Sequence, residues 1–146
     1  MTMAGRAAEQ AVIRVYEQWA KAFHTVDGEL MKSLWDADYP GVVYQAEESA
    51  DPIYDWKGIA KYWDTVNQIR IGVSRWDEVT RKVAITGDAA LVYVKTMTSL
   101  KFAGVTNEFA GELRSTLGLH RRHGRWLLIH YHESRALDLE PILRGG

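Results

Sequence analysis

Three charged residues, Glu47, Lys95 and Glu133, fall on stretches of alternating polarity where the other positions of the same face are largely apolar. A carboxylate enclosed by apolar walls ionises reluctantly and exchanges protons near neutral pH, while a hydroxyl or ammonium beside it steadies a developing oxyanion. Glu47 or Glu133 is therefore the expected base, with Tyr44, Tyr62 or Lys95 as the oxyanion donor. Trp19, Gln45, Ser115 and Tyr131 complete the expected lining. Two readings stay open at this level. Either these groups line a cavity, or the charges sit near strand ends and meet solvent or, for Lys95 and Glu133, each other.

Two histidines, His130 and His132, point to one side of the same strand, as in some zinc sites. A third ligand is missing from the neighbouring positions, so no metal is expected and the chemistry is read as cofactor-free. The row of His130, His132, Ser134, Thr116 and Arg114, mixed with Trp126 and Leu128, instead suits a contact between copies of the chain. The cluster Arg121–Arg122 with Arg125 brackets a hairpin tip and is too small for nucleic acid.

The elements that must carry these groups follow from periodicity. Residues 7–25 place Val12, Val15, Trp19 and Phe23 on one helical stripe. Asp27 caps a second helix over 28–35, and a third runs over 58–69 with Ile59, Tyr62, Trp63 and Val66 inward. Residues 42–45 form a short strand. From there the period becomes two, with strands over 76–85, 89–102, 108–121 and 125–134. For the last hairpin a three-residue loop, Arg122-His123-Gly124, pairs Leu119 with Leu127, Leu117 with Ile129, Ser115 with Tyr131 and Leu113 with Glu133. That register puts Lys95, Ser115, Tyr131 and Glu133 on the helix-facing side and Trp126 on the outer one. Helices followed by an antiparallel meander define an α+β fold in which three N-terminal helices pack on a strongly curved sheet.

The chain has 146 residues, room for a single domain spanning 1–146 with a core of about 7–136 and a tail over 137–146. Its apolar share of 47% and charged share of 25% are those of a globular protein, which excludes disordered and fibrous classes. With 18 Lys and Arg against 19 Asp and Glu, there is no global basic field for nucleic acid or an anionic membrane. Cysteine is absent, so disulfides and thiolate chemistry are too. No apolar run reaches membrane-span length and the first residues lack a signal-peptide pattern, so a cytoplasmic location is expected. Six Trp and seven Tyr against three Phe favour aromatics with a polar handle, the kind that line a pocket.

The segments Gly87-Asp88-Ala89-Ala90 and Arg121-Arg122-His123-Gly124-Arg125-Trp126, continuing through Leu127-Leu128-Ile129-His130-Tyr131-His132-Glu133-Ser134, carry a family pattern. The chain resembles the SnoaL-like, ketosteroid isomerase-like branch of the nuclear transport factor 2-like superfamily. Its last strand is most similar to the association domain of calcium/calmodulin-dependent protein kinase II. The resemblance implies a conical, barrel-like α+β fold with an apolar pocket, and homodimers or larger homo-oligomers formed through the outer sheet face. Cationic pocket positions of the association domain match Lys95, which keeps the charge, Leu117, which loses it, and Glu133, which reverses it. Its pocket histidine matches about Tyr62. The general-base position of ketosteroid isomerase matches about Gln45, which has no proton to exchange; its tyrosine falls near Trp19 and its second acid near Thr116 or Leu117. The expected function is a small-molecule-binding protein for a mostly apolar ligand, acting as a cofactor-free isomerase, cyclase or dehydratase. The alternative is a non-catalytic oligomerisation or ligand-carrier module.

Overall fold

The computed structural model describes residues 2–137 and 139–145. Helix α1 (Met3–His24) starts where the Thr2 hydroxyl accepts the Gly5 amide at 2.9 Å. It buries Val12, Tyr16, Trp19 and Phe23, a stripe at steps of four, three and four. Asp27 caps α2 (Gly28–Ser33) by accepting the Leu30 amide, and Asp55 caps α3 (Trp56–Thr65) by accepting that of Gly58. The third helix tightens into a single 3-10 turn, Val66–Gln68, before the chain enters the sheet.

Five strands follow the order β1-β5-β4-β3-β2. They are β1 (Val43–Gln45), β2 (Arg70–Thr86), β3 (Ala89–Phe102), β4 (Phe109–Arg122) and β5 (Arg125–Arg135). Only β1 runs parallel to its neighbour, with Gln45 across from His132. The sheet remains open and curves over the helices, giving the α+β cone expected from the sequence. A short helix, α4 (Glu140–Gly145), stands where a frayed tail was expected. Strand β2 begins at Arg70, six residues before the alternation suggested, because three register shifts break its period.

Two expectations about facing need correction. The last hairpin has a two-residue turn, His123-Gly124, with both residues at positive φ (52° and 75°) and Arg122 paired to Arg125. That primed geometry matches the twist of the flanking strands. A register shift between Gly118 and Leu119 then inserts Ile129 as an unpaired residue. Beyond this bulge, Leu117 faces Tyr131 and Ser115 faces Glu133, so both still point toward the helices. Before the bulge the sides swap: Leu119 pairs with Leu128, and Trp126 and Leu128 join the core instead of the outer face.

The second correction concerns Lys95. Strand β3 is apolar on both faces, so alternation alone does not choose between them. Its pairing does: Val92 faces Leu117, Val94 faces Ser115 and Thr96 faces Leu113, all buried. Leu91, Tyr93 and Lys95 therefore lie on the outer face, where Lys95 pairs with Glu112 at 3.5 Å.

Candidate functional site

A cavity of about 670 Å³ opens where the chain leaves β1 and meets the end of β5 and the β3–β4 hairpin. The parallel pairing of β1 with β5 brings the segment after Gln45 against the last residues of β5. Gln45 stabilises this turn by donating to the carbonyls of Ala46 at 2.9 Å and Ser49 at 2.8 Å. Phe102 and Phe109 form the facing apolar wall. Three carboxylates reach the cavity: Glu47, Glu48 and Glu133.

Each carboxylate has a different environment. Glu47 accepts a two-point bond from Arg135, with Nε at 2.9 Å and Nη2 at 2.8 Å. Glu48 accepts the Tyr62 hydroxyl at 2.6 Å. Glu133 has no cationic partner among the described residues and is only 5% exposed. Burial pushes its carboxyl up to about 7, with the charges of Glu47 and Glu48 adding to the rise; Arg70 and the Tyr131 hydroxyl oppose it. Both of its protonation states are thus populated near neutrality.

Behind Glu133 the aromatic side chains close-pack. The Tyr131 ring lies 5.3 Å from Trp19 and 5.1 Å from Tyr44, whose ring is 4.9 Å from Tyr62. The Tyr131 hydroxyl meets the Ser115 hydroxyl at 3.0 Å. Trp19, Tyr44 and Tyr131 are fully buried in this packing, so they form the floor behind the cavity. Burial drives the hydroxyls of Tyr44, Tyr62 and Tyr131 well above the usual tyrosine range, keeping them protonated donors.

Of the residues expected from the sequence, Gln45, Glu47 and Glu133 line the cavity. Tyr44, Tyr131, Ser115 and Trp19 lie in the buried cluster adjoining Glu133, and Tyr62 connects that cluster to Glu48. Lys95 is on the far side of the sheet. Sequence reasoning missed Glu48, Arg135 and Arg70. Arg135 sits two positions after Glu133 on the same strand, so period two was enough to place it on that face. Arg70 was hidden because the start of β2 carries no clean alternation.

His130 lies across from Gly118 and His132 from Thr116, and among the described residues no group of three His, Asp or Glu forms a metal-sized cluster. A separate polar cluster lies at the other end of the last hairpin. Buried Asp36 accepts from His120 Nε2 at 2.6 Å and from Arg122 Nη2 at 2.7 Å.

Structures of the same cone are known at low sequence identity. A nuclear transport factor 2-like protein of unknown function from Pseudomonas putida KT2440 superposes with a TM-score of 0.74 at 20% identity, covering 92% of this chain and 91% of that one. A putative scytalone dehydratase from Novosphingobium aromaticivorans gives 0.77 at 9% identity, covering 94% and 89%. A putative calcium/calmodulin-dependent protein kinase II association domain from Xanthomonas campestris gives 0.69 at 19%, covering 87% and 86%. No curated protein matches the sequence. The SnoaL-like domain model matches residues 12–138, and the chain belongs to that family. Among the described residues no helix is long and apolar enough to cross a membrane.

Proposed function

We propose that the protein binds a small, mostly apolar molecule in this cavity and performs cofactor-free acid–base chemistry on it through Glu133. One observation carries the reading: an almost fully buried carboxyl at the cavity wall, with its ionisation raised to about 7. General acid–base groups work best when their pKa lies near the working pH. Glu133 takes a proton from a carbon next to a carbonyl. It returns that proton to another carbon in an isomerisation, or to a departing hydroxyl in a dehydration, which releases water. The Tyr44 hydroxyl is buried and has no hydrogen-bond partner, so it is the donor assigned to the developing oxyanion. Tyr62 is already committed to Glu48, and Glu47 to Arg135; these two act on Glu133 through charge and position. Dehydratase-type chemistry is also the kind named for the putative scytalone dehydratase of the same fold.

The reaction is testable without knowing the substrate. Small cyclic and aryl ketones incubated in deuterium oxide lose their activated hydrogens when a base is correctly placed, and proton NMR follows the loss. Wild type should accelerate exchange in at least one such compound, and Glu133→Gln should slow it by about a hundredfold or more. Equal exchange by the two proteins would sink the role of Glu133.

The outer sheet face is the proposed contact with a second copy of the chain. Leu91 and Tyr93 are exposed there, and the strand register sets Tyr93, Thr116 and His132 in one transverse row. A cytoplasmic location is proposed for the working protein.

A further inference from the structure

Arg70 opens β2 with only 4% of its surface exposed. Its guanidinium carbon sits 4.1 Å from the centre of the Phe23 ring and 5.4 Å from that of Trp63. Its Nε and Nη2 are buried and make no hydrogen bond. These two nitrogens form one edge of the guanidinium, and elsewhere in the molecule that edge holds carboxylates. Arg135 grips Glu47 with it, and Arg121 grips Asp88 with it at 2.9 and 2.6 Å.

The surroundings of Arg70 are rich in donors and poor in acceptors. The Tyr44 hydroxyl and the indole nitrogens of Trp19 and Trp63 are also buried without partners. Guanidinium and indole groups only donate, so they do not satisfy one another. A buried cation without a counter-charge destabilises the fold, and an apolar residue of similar volume would pack there at lower cost. Stacking on Phe23 and Trp63 offsets part of this but leaves the hydrogen-bonding edge unused.

We propose that Arg70 receives an anionic oxygen of the ligand, its Nε and Nη2 edge forming a two-point bond, and that the ligand is a compact apolar carboxylic acid. The inference rests on the reading of the cavity as a small-molecule site and specifies what enters it. Phe102, a wall of the cavity, is the strand partner of Arg70, so both side chains lie on the same face one strand apart. The acid's apolar body fills the space beside Phe102 and Phe109, and its carboxylate passes Phe102 to the guanidinium. Paired in this way, the buried charge of Arg70 gains its missing partner.

The test compares acids with their neutral counterparts. Wild type and Arg70→Met are titrated calorimetrically with benzoate and naphthoate, and with benzamide and naphthamide, near neutral pH. Met keeps the length of the side chain without the charge, so the variant should unfold at or above the wild-type temperature. Wild type should bind the acids at least about tenfold more tightly than the amides, and Arg70→Met should lose that preference while keeping its affinity for the amides. Should the variant fail to fold, the Arg70 Nε–H resonance of nitrogen-labelled wild type gives the same answer: it should shift with naphthoate and not with naphthamide. Equal affinity of wild type for acid and amide, an unshifted Arg70 resonance, or full acid preference in folded Arg70→Met overturns the proposal. Binding of amides alone leaves the small-molecule reading standing and removes only the role of Arg70. Binding of neither class removes both.

Discussion

Glu133 and Lys95 show why a charged residue on an apolar strand was informative in one place and misleading in another. Glu133 shares its strand face with Tyr131, and the residues opposite, Ser115 and Leu117, are buried. Inward placement was therefore legible from alternation. Lys95 shares its face with Leu91 and Tyr93, which look like core residues in sequence but stand 56% and 37% exposed. Composition does not separate the inner face of a sheet from an apolar outer one; pairing does. The raised ionisation of Glu133 also has a thermodynamic consequence. Its carboxyl sits at about 7 in the folded protein against an ordinary value of 4.5, so between these values the native state holds more protons than the unfolded one. Stability then falls as pH rises through that window and levels off above it. The full effect is about 3 kcal/mol. Urea unfolding at about pH 5 and about pH 8 should show this decline in wild type and a much smaller one in Glu133→Gln. An equal decline in both would mean that Glu133 is not the group responsible.

At the scale of elements, the helices were the most legible part. Asp27 caps α2 as expected, and Trp19 and Phe23 occupy the buried stripe of α1. The hairpin between β4 and β5 was less so, because a tight turn and a bulge displace the register by compensating amounts. The inward direction of Tyr131 survives either way, whereas Trp126 changes side. The turn itself is anchored by a cluster that periodicity did not reveal. Asp36, just after α2, accepts from His120 and Arg122 near the end of β4, and its amide donates to the Leu128 carbonyl of β5 at 3.0 Å. Burial pushes the Asp36 carboxyl up, but the bonds from His120 and from the Asp38 amide and the nearby Arg122 charge outweigh it, holding the group below its ordinary value of 3.8. A depressed carboxylate adds stability above the unfolded value and loses it as pH falls through the folded one. Asp36→Asn should thus cost about 2 kcal/mol at neutral pH. Denaturant unfolding of the pair should show that gap closing below about pH 4. A gap that persists in acid would assign the loss to packing instead of charge.

Across the whole molecule, the two sheet faces have separate jobs, and this separation is what makes the proposed dimer contact testable. The inner face packs on α1 around Trp19 and extends to the cavity wall at Glu133. The outer face presents Leu91 and Tyr93 beside His130 and His132, with Lys95 and Glu112 paired at its edge. Apolar side chains at the centre of a face with opposite charges on the rim suit a two-fold contact, in which each patch meets its own copy. Sedimentation velocity should find wild type as a dimer at micromolar concentration. Leu91→Arg adds a like charge on both sides of the two-fold contact and should yield a monomer. Leu91 faces away from the core, so the variant should keep its unfolding temperature within a few degrees of wild type unless folding itself depends on the partner. A wild type that stays monomeric as its concentration is raised, or a Leu91→Arg protein that still dimerises, would remove the outer face from the assembly. Exchange and ligand titrations on the monomer then complete the separation: unchanged binding at the inner site shows that each cone works alone, and a loss in both shows that the contact supports the cavity through the shared strands β4 and β5.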